Sequence, residues 1–176
     1  FNLDFNHMRQ VADLSQTLFK EFKDSLGLQD KDLLYLMLAA YLHDIGMFIN
    51  NRAHHKHTEY VINSLNLFRL TEEEIKIIAA VARYHRKSSP LPTHIVYNSL
   101  SGDQQILVQK LSALLRVANS LDRSHRQKVK KLEIKIGKNQ DINLIVYTHE
   151  NFLLEKSNLM EKKGFFEEIT GSRLTL

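Results

Sequence analysis

The sequence predicts a mainly α-helical fold: a helical bundle that gives way near residue 128 to a small α+β unit of a hairpin, a helix and a short strand. Three observations carry this. Apolar residues recur three and four apart through the first 127 positions, the spacing of one helix face. From about residue 128 the spacing becomes two, as Leu132, Ile134 and Ile136 alternate with Glu133 and Lys135. Within the first region, Thr71 with Glu74 and Ser101 with Gln104 have capping-box spacing and mark two helix starts. The chain of 176 residues therefore divides into residues 1–127 and 128–176.

The first helix is expected over Asp4 to Leu26, with His7, Val11, Leu14, Leu18 and Phe22 on one face and Gly27 as its stop. The second, from Lys31 to Gly46, is apolar almost all round, which predicts a central position. A loop rich in Asn and His precedes a third helix from Thr58 to Leu67. The fourth opens at Thr71 and ends near His85; both prolines then fall in a loop over residues 86–98. The fifth runs from Ser101 to about Arg123, and its apolar face of Leu107, Leu111, Leu114, Leu115 and Ala118 carries on to Asp122. The hairpin follows, its strands joined by residues 137–141. A last helix over Phe152 to Ile169 is weakened by Gly164, and Arg173 to Leu176 returns as a strand. Leu132, Ile134, Ile136, Leu144 and Val146 are expected to face that helix.

The composition, 43% hydrophobic and 25% charged, is that of an ordinary globular domain. No apolar run approaches the roughly 18 residues of a membrane span. The absence of cysteine excludes disulfides and thiolate metal sites and suits a cytoplasmic setting. Phe1 in place of an initiating Met predicts a piece of a longer or processed chain. A net charge of +4 with nine histidines fits either a solvated basic surface or attraction for a polyanion.

The chemistry starts at His43-Asp44, at the end of the most apolar helix. A buried ionisable pair needs a partner, and a metal ion is a good one. Imidazole and carboxylate together suit Mn, Fe, Co, Ni or Zn, whereas Mg tolerates fewer histidines. His7, His85 and Asp122 also sit on apolar faces, so successive helices deliver candidate ligands from their buried sides. In the run His54-His55-Lys56-His57, His57 is expected to hold a second metal with His85; the other reading is a surface loop. Asp44 carries the catalytic role. Arg83, Arg86 and Lys87, which flank His85, and Arg123 are expected to bind phosphate oxygens, with Arg116 and Arg126 beside them. Attraction of cations to a helix C-terminus is the other reading of that cluster. With no Gly-rich phosphate loop, no GxSxG elbow and no cysteine nucleophile, the expected reaction is attack on phosphorus by metal-activated water.

The order His, His-Asp, His, His, Asp on successive helices resembles the HD superfamily of metal-dependent phosphohydrolases. The runs Leu42 to Ile49, His54 to His57, Val81 to Lys87 and Leu111 to Ser124, with Phe165 to Gly171, resemble more closely the C-terminal HD-like region of the exopolyphosphatase/guanosine pentaphosphate phosphatase (Ppx/GppA) family. The resemblance implies an HD-domain bundle acting on, or binding, polyphosphate or a guanosine polyphosphate. It also implies a preceding actin-like ATPase-type domain that carries the polyphosphate-cleaving site, and a possible homodimer. A non-catalytic polyanion-binding and dimerisation module is the alternative. Nucleic-acid binding is weaker, because no aromatic stacking stripe accompanies the arginines.

Overall fold

The computed structural model describes residues 3–86, 88–137 and 141–176. Helix α1 (Phe5–Phe22) begins where Asp4 Oδ1 accepts the His7 backbone N–H at 3.0 Å. The chain then turns at Gly27, whose φ of 61° favours glycine. Helix α2 (Asp30–Leu42) is shorter than expected and passes through His43 and Asp44 into a tight 3-10 turn over Ile45–Phe48. Helix α3 (His54–Asn63) starts four residues before the expected position. Both capping boxes form. Thr71 and Glu74 exchange bonds of 2.8 and 3.2 Å at the start of α4 (Glu72–Arg83). Ser101 and Gln104 exchange bonds of 2.9 and 3.3 Å, after the short α5 (Ile95–Asn98), at the start of α6 (Gly102–Leu121).

The central helix is α6, not α2. Helix α6 packs against α1, α2 and α4 and takes the C-terminal helices as well, so residues such as Leu111, Leu114, Leu115 and Ala118 are fully buried. Helix α2 meets α1 and α4 on one side and leaves Leu34 half exposed on the other. Uniform apolarity thus overstated its burial.

In the C-terminal segment, β1 (Lys131–Ile136) pairs antiparallel with β2 (Ile142–Tyr147), with Ile134 opposite Leu144. The short β3 (Leu174–Thr175) adds to β2 in parallel, giving the order β1-β2-β3. The single helix expected between them is two, α7 (Leu153–Lys162) and α8 (Gly164–Thr170), broken at Gly164 where glycine lowers helix propensity. These helices pack on α6, so β1 lies against α1 instead; Gln10 Nε2 donates to Val129 O at 2.9 Å beside it. Leu132, Ile142 and Leu144 are buried, whereas Ile136, expected to face inward, is 50% exposed. The hydrophobic core runs through both segments without a break.

A buried ion pair ties the α6–β1 connection to α7. Lys128 Nζ donates to Glu155 Oε2 at 3.1 Å and to Asn151 O at 2.8 Å, and Glu155 Oε1 accepts the Ser124 N–H at 3.1 Å. Among the described residues, no helix is long and apolar enough to cross a membrane.

Gly46 packs the 3-10 turn onto α3. Its N–H donates to Thr58 Oγ1 at 3.0 Å, and that hydroxyl donates to His43 O at 2.9 Å. A Cβ on Gly46 would intrude on His54 O and Thr58 N and stand 2.7 Å from Thr58 Oγ1. Gly46→Ala is therefore expected to destabilise the fold by about 1–3 kcal/mol, the usual range for overpacking. A thermal melt measures this; an unchanged midpoint would refute the tight approach.

Candidate metal centre

The C-terminal ends of α2, α4 and α6 converge on one buried point, and the N-terminal turn of α3 closes it. His43 is the residue after α2, His85 lies two beyond α4, Asp122 follows α6, and His54 opens α3. Three helix C-termini present the negative ends of their dipoles, which favour a cation.

The hydrogen bonds of these histidines fix their tautomers. His43 Nδ1 lies 2.7 Å from Ala40 O, His85 Nδ1 2.6 Å from Ala82 O, and His54 Nδ1 3.0 Å from Asn51 O. A carbonyl oxygen only accepts, so each Nδ1 donates. His7 Nδ1 lies 2.8 Å from Asp122 Oδ2 and likewise donates to an acceptor. In the neutral tautomer that these bonds select, Nε2 keeps its lone pair in each of the four rings. Yet His7 Nε2 and His43 Nε2 are 3.2 Å apart, and His54 Nε2 and His85 Nε2 are 3.3 Å apart. Two pairs of lone pairs face each other without a proton between them.

The Asp44 carboxylate stands between the pairs. Its Oδ2 is 3.5 Å from His43 Nε2 and 3.8 Å from His7 Nε2, while its Oδ1 is 3.4 Å from His54 Nε2 and 3.6 Å from His85 Nε2. Two groups, His7/Asp44/His125 and Asp44/His54/His85, bring their ligand atoms within 4.8 Å of one another. Burial would raise the Asp44 carboxyl, but the His43, His54 and His85 rings around it hold it below the usual range. Burial pushes His43 and His85 down, with Asp44 opposing, so both rings favour the neutral form that donates a lone pair.

Of the expected site residues, His7, His43, Asp44 and His85 meet. His57 does not; His54 takes that place. Ala53 at a φ of 58° starts α3 early, which turns His54 inward in the first turn, and Thr58 pins the next turn to Gly46. Asp122 stands one step behind. Its Oδ2 takes His7 Nδ1 and its Oδ1 takes the Gln127 N–H at 2.8 Å, so it orients His7.

The expected phosphate contacts divide. Arg86 and Arg123 line a pocket of about 260 Å³ together with Asp44, His54, His85 and His125. Arg83 instead pairs with Glu59 on α3, because its position at the last turn of α4 faces that helix. Lys87 lies outside the described residues. Arg116 is buried and donates to Tyr84 O at 3.1 Å and Ser88 O at 2.7 Å, and Arg126 pairs with Glu150 at 3.0 Å. The sequence reading did not single out Lys162. Burial, then the nearby Arg123 and Arg86, push its ammonium down to about 8. Nor did it single out His125, which follows the end of α6 and so falls outside any helical periodicity.

The family model for Ppx/GppA phosphatase, domain III, matches residues 1–163. The guanosine-5'-triphosphate,3'-diphosphate pyrophosphatase of Pseudoalteromonas translucida (strain TAC 125) is 31% identical over 119 residues, which are 67% of this chain and 23% of that protein. The protein of the same name from Aliivibrio fischeri (strain ATCC 700601 / ES114) is 28% identical over 116 residues, 65% of this chain and 23% of its own length. The chain thus spans less than a quarter of these relatives.

The neutral histidines make the metal-free fold acid-labile. His43 and His85 titrate below their ordinary value of 6.5, so the unfolded chain binds more protons than the folded one as pH falls through that value. Their contribution is fully present above about 6.5 and is lost below it, at up to about 1.4 kcal/mol per pH unit for each ring. Asp44 adds a loss of the same sign at lower pH. Urea midpoints of metal-free protein from pH 7.5 to pH 5 are expected to fall steadily; a flat profile would contradict neutral buried rings.

Proposed function

The chain belongs to the Ppx/GppA phosphatase family, as its domain III, and from that premise we propose that the His/Asp cluster is a divalent-metal centre for phosphoanhydride chemistry. One observation carries the reading: two pairs of facing imidazole lone pairs, each beside its own oxygen of Asp44. Such an arrangement is repulsive by itself and becomes favourable around cations. Nitrogen donors around one carboxylate suit transition ions: His7 and His43 would hold one, His54 and His85 a second, and Asp44 would offer an oxygen to each. Ions bound there supply Lewis acidity to a phosphoryl oxygen and activate water.

The protein's own groups do the rest. Nδ1–H bonds to helix-end carbonyls and to Asp122 hold the rings in register. Arg86 and Arg123, which line the pocket, would bind phosphate oxygens. Asp44 would be the catalytic carboxylate, the residue that holds the metal beside the pocket. The substrate class is polyphosphate or a guanosine polyphosphate, the latter in line with the names of the similar proteins. In the whole protein this domain would work in the cytoplasm beside the actin-like ATPase-type domain that the resemblance implies, and with a second copy of the chain. Residues 1–127 would form the HD-type unit and residues 128–176 the part that braces it.

Metal-free protein titrated with Mn(II), Co(II), Ni(II) or Zn(II) is expected to bind two ions and to melt higher. At a hundredfold excess over Kd the gain is about 2.7 kcal/mol for one site. Asp44→Asn is expected to abolish that gain together with any metal-dependent phosphate release from guanosine-5'-triphosphate,3'-diphosphate. Release from long polyphosphate by this chain alone is expected to be slight. Absence of metal binding, with melting indifferent to metal, would leave the polyanion-binding and dimerisation module.

A further inference from the structure

We propose that Arg116 is a positioning residue of the metal centre: its guanidinium grips the main chain on both sides of His85 and so sets where that ligand reaches. The assignment rests on the metal-centre reading above. The sequence places Arg116 beside the candidate phosphate-binding arginines, but the fold turns it inward, and it is 4% exposed. Its Nε and Nη2 donate to Tyr84 O at 3.3 and 3.1 Å, and Nη2 also donates to Ser88 O at 2.7 Å. His85 lies between those two carbonyls in the chain. About one turn further along α6, Asn119 Nδ2 reaches His85 O itself at 3.4 Å. Two side chains on one face of α6 thus take three carbonyls of the stretch where α4 has ended. Carbonyls at a helix end have no partner within the helix, so an outside donor decides where the chain goes next.

Burying a cation is costly unless its charge is received. Here the receivers are main-chain oxygens at the negative end of the α4 dipole and the face of Phe165, whose centroid is 4.3 Å from Arg116 Cζ. Phe165 belongs to α8, so the C-terminal unit holds the guanidinium against the end of α4. A planar fork suits this task because it keeps two acceptors in a fixed relation, which an ammonium on a flexible stem does not. Burial pushes Arg116 down only to about 10, so the guanidinium keeps its charge at neutral pH. His85 is thereby fixed twice. Its Nδ1 is tied to Ala82 O at 2.6 Å within α4, and its main chain is tied to α6. The same device recurs at His43, whose ring is tied to Ala40 O and whose carbonyl accepts from Thr58 Oγ1 at 2.9 Å.

Arg116→Lys keeps the charge and loses the fork; Arg116→Met keeps the bulk and loses every donor. Co(II) titration of the full chain, followed by calorimetry and visible absorption, reads both ions, and ring-nitrogen NMR on Zn(II) loading assigns each ion to its histidines. Both variants are expected to weaken the ion at His54 and His85 at least about tenfold and to leave the ion at His7 and His43 unchanged. Wild-type affinity in Arg116→Lys would overturn the assignment while leaving the metal centre in place. So would an equal loss at both ions, which is what a general loosening of the fold produces. Wild-type protein that binds no metal would overturn both. A measurement that needs no substitution is arginine side-chain NMR of the metal-free wild-type chain. Separate Nη resonances, the sign of a guanidinium that does not rotate, are expected for Arg116; a single averaged signal would overturn the clamp.

Discussion

Everything at the centre of this fold depends on imidazole N–H groups that are already spoken for. At His43 and His85 the ring reaches back three residues to a carbonyl in the last turn of its own helix. Such carbonyls have no partner within the helix. One bond therefore finishes the helix end and decides which nitrogen faces inward. His54 does the same with Asn51 O in the turn before α3. Local helix-end chemistry, repeated on separate elements, builds a point where only acceptors meet. The Asp44 carboxylate adds negative charge to that point, and three helix dipoles reinforce it.

The packing serves this convergence. Helix α6 is the axis, and α1, α2 and α4 lie around it so that His7 from one side and the ends of α2 and α4 from another reach the same spot. The 3-10 turn after Asp44 is pressed onto α3 through Gly46 and Thr58, whose hydroxyl joins the Gly46 N–H to His43 O. The hydrogen-bonding partners of the centre are therefore held by backbone, with little side-chain freedom to lose. The mouth is built differently, from the long cationic side chains of Arg86 and Arg123 just beyond α4 and α6.

Much of this was legible in the sequence. Capping boxes at Thr71 and Ser101 gave two helix starts, the change of period near residue 128 gave the hairpin, and His7, His43, Asp44 and His85 stood out as polar residues on apolar faces. What escaped has physical causes. The start of α3 is set by a left-handed Ala53, a conformation with no sequence signature outside glycine and asparagine, so His57 was preferred to His54. Asp122 reads as a ligand by position, and only the fold shows its carboxylate engaged by His7 and by the turn through Gln127. Arg83 and Arg86 are equivalent in sequence, but α4 ends at Arg83, so Arg83 is directed from the helix toward Glu59 while Arg86, three residues past it, reaches the pocket. Apolar runs signal burial in general, yet which of two apolar helices is the axis depends on partners that a single helix does not encode.

The His7–Asp122 bond joins residues 115 positions apart in the chain. On a ribosome that adds roughly 5–20 residues per second, the imidazole emerges several seconds or more before its carboxylate exists. Through that interval α1 has neither α6 to pack on nor an acceptor for the ring, and its apolar face stays exposed to whatever the cell offers. The centre is thus a late product of synthesis. An imidazole early in this chain waits for a carboxylate 115 residues further on.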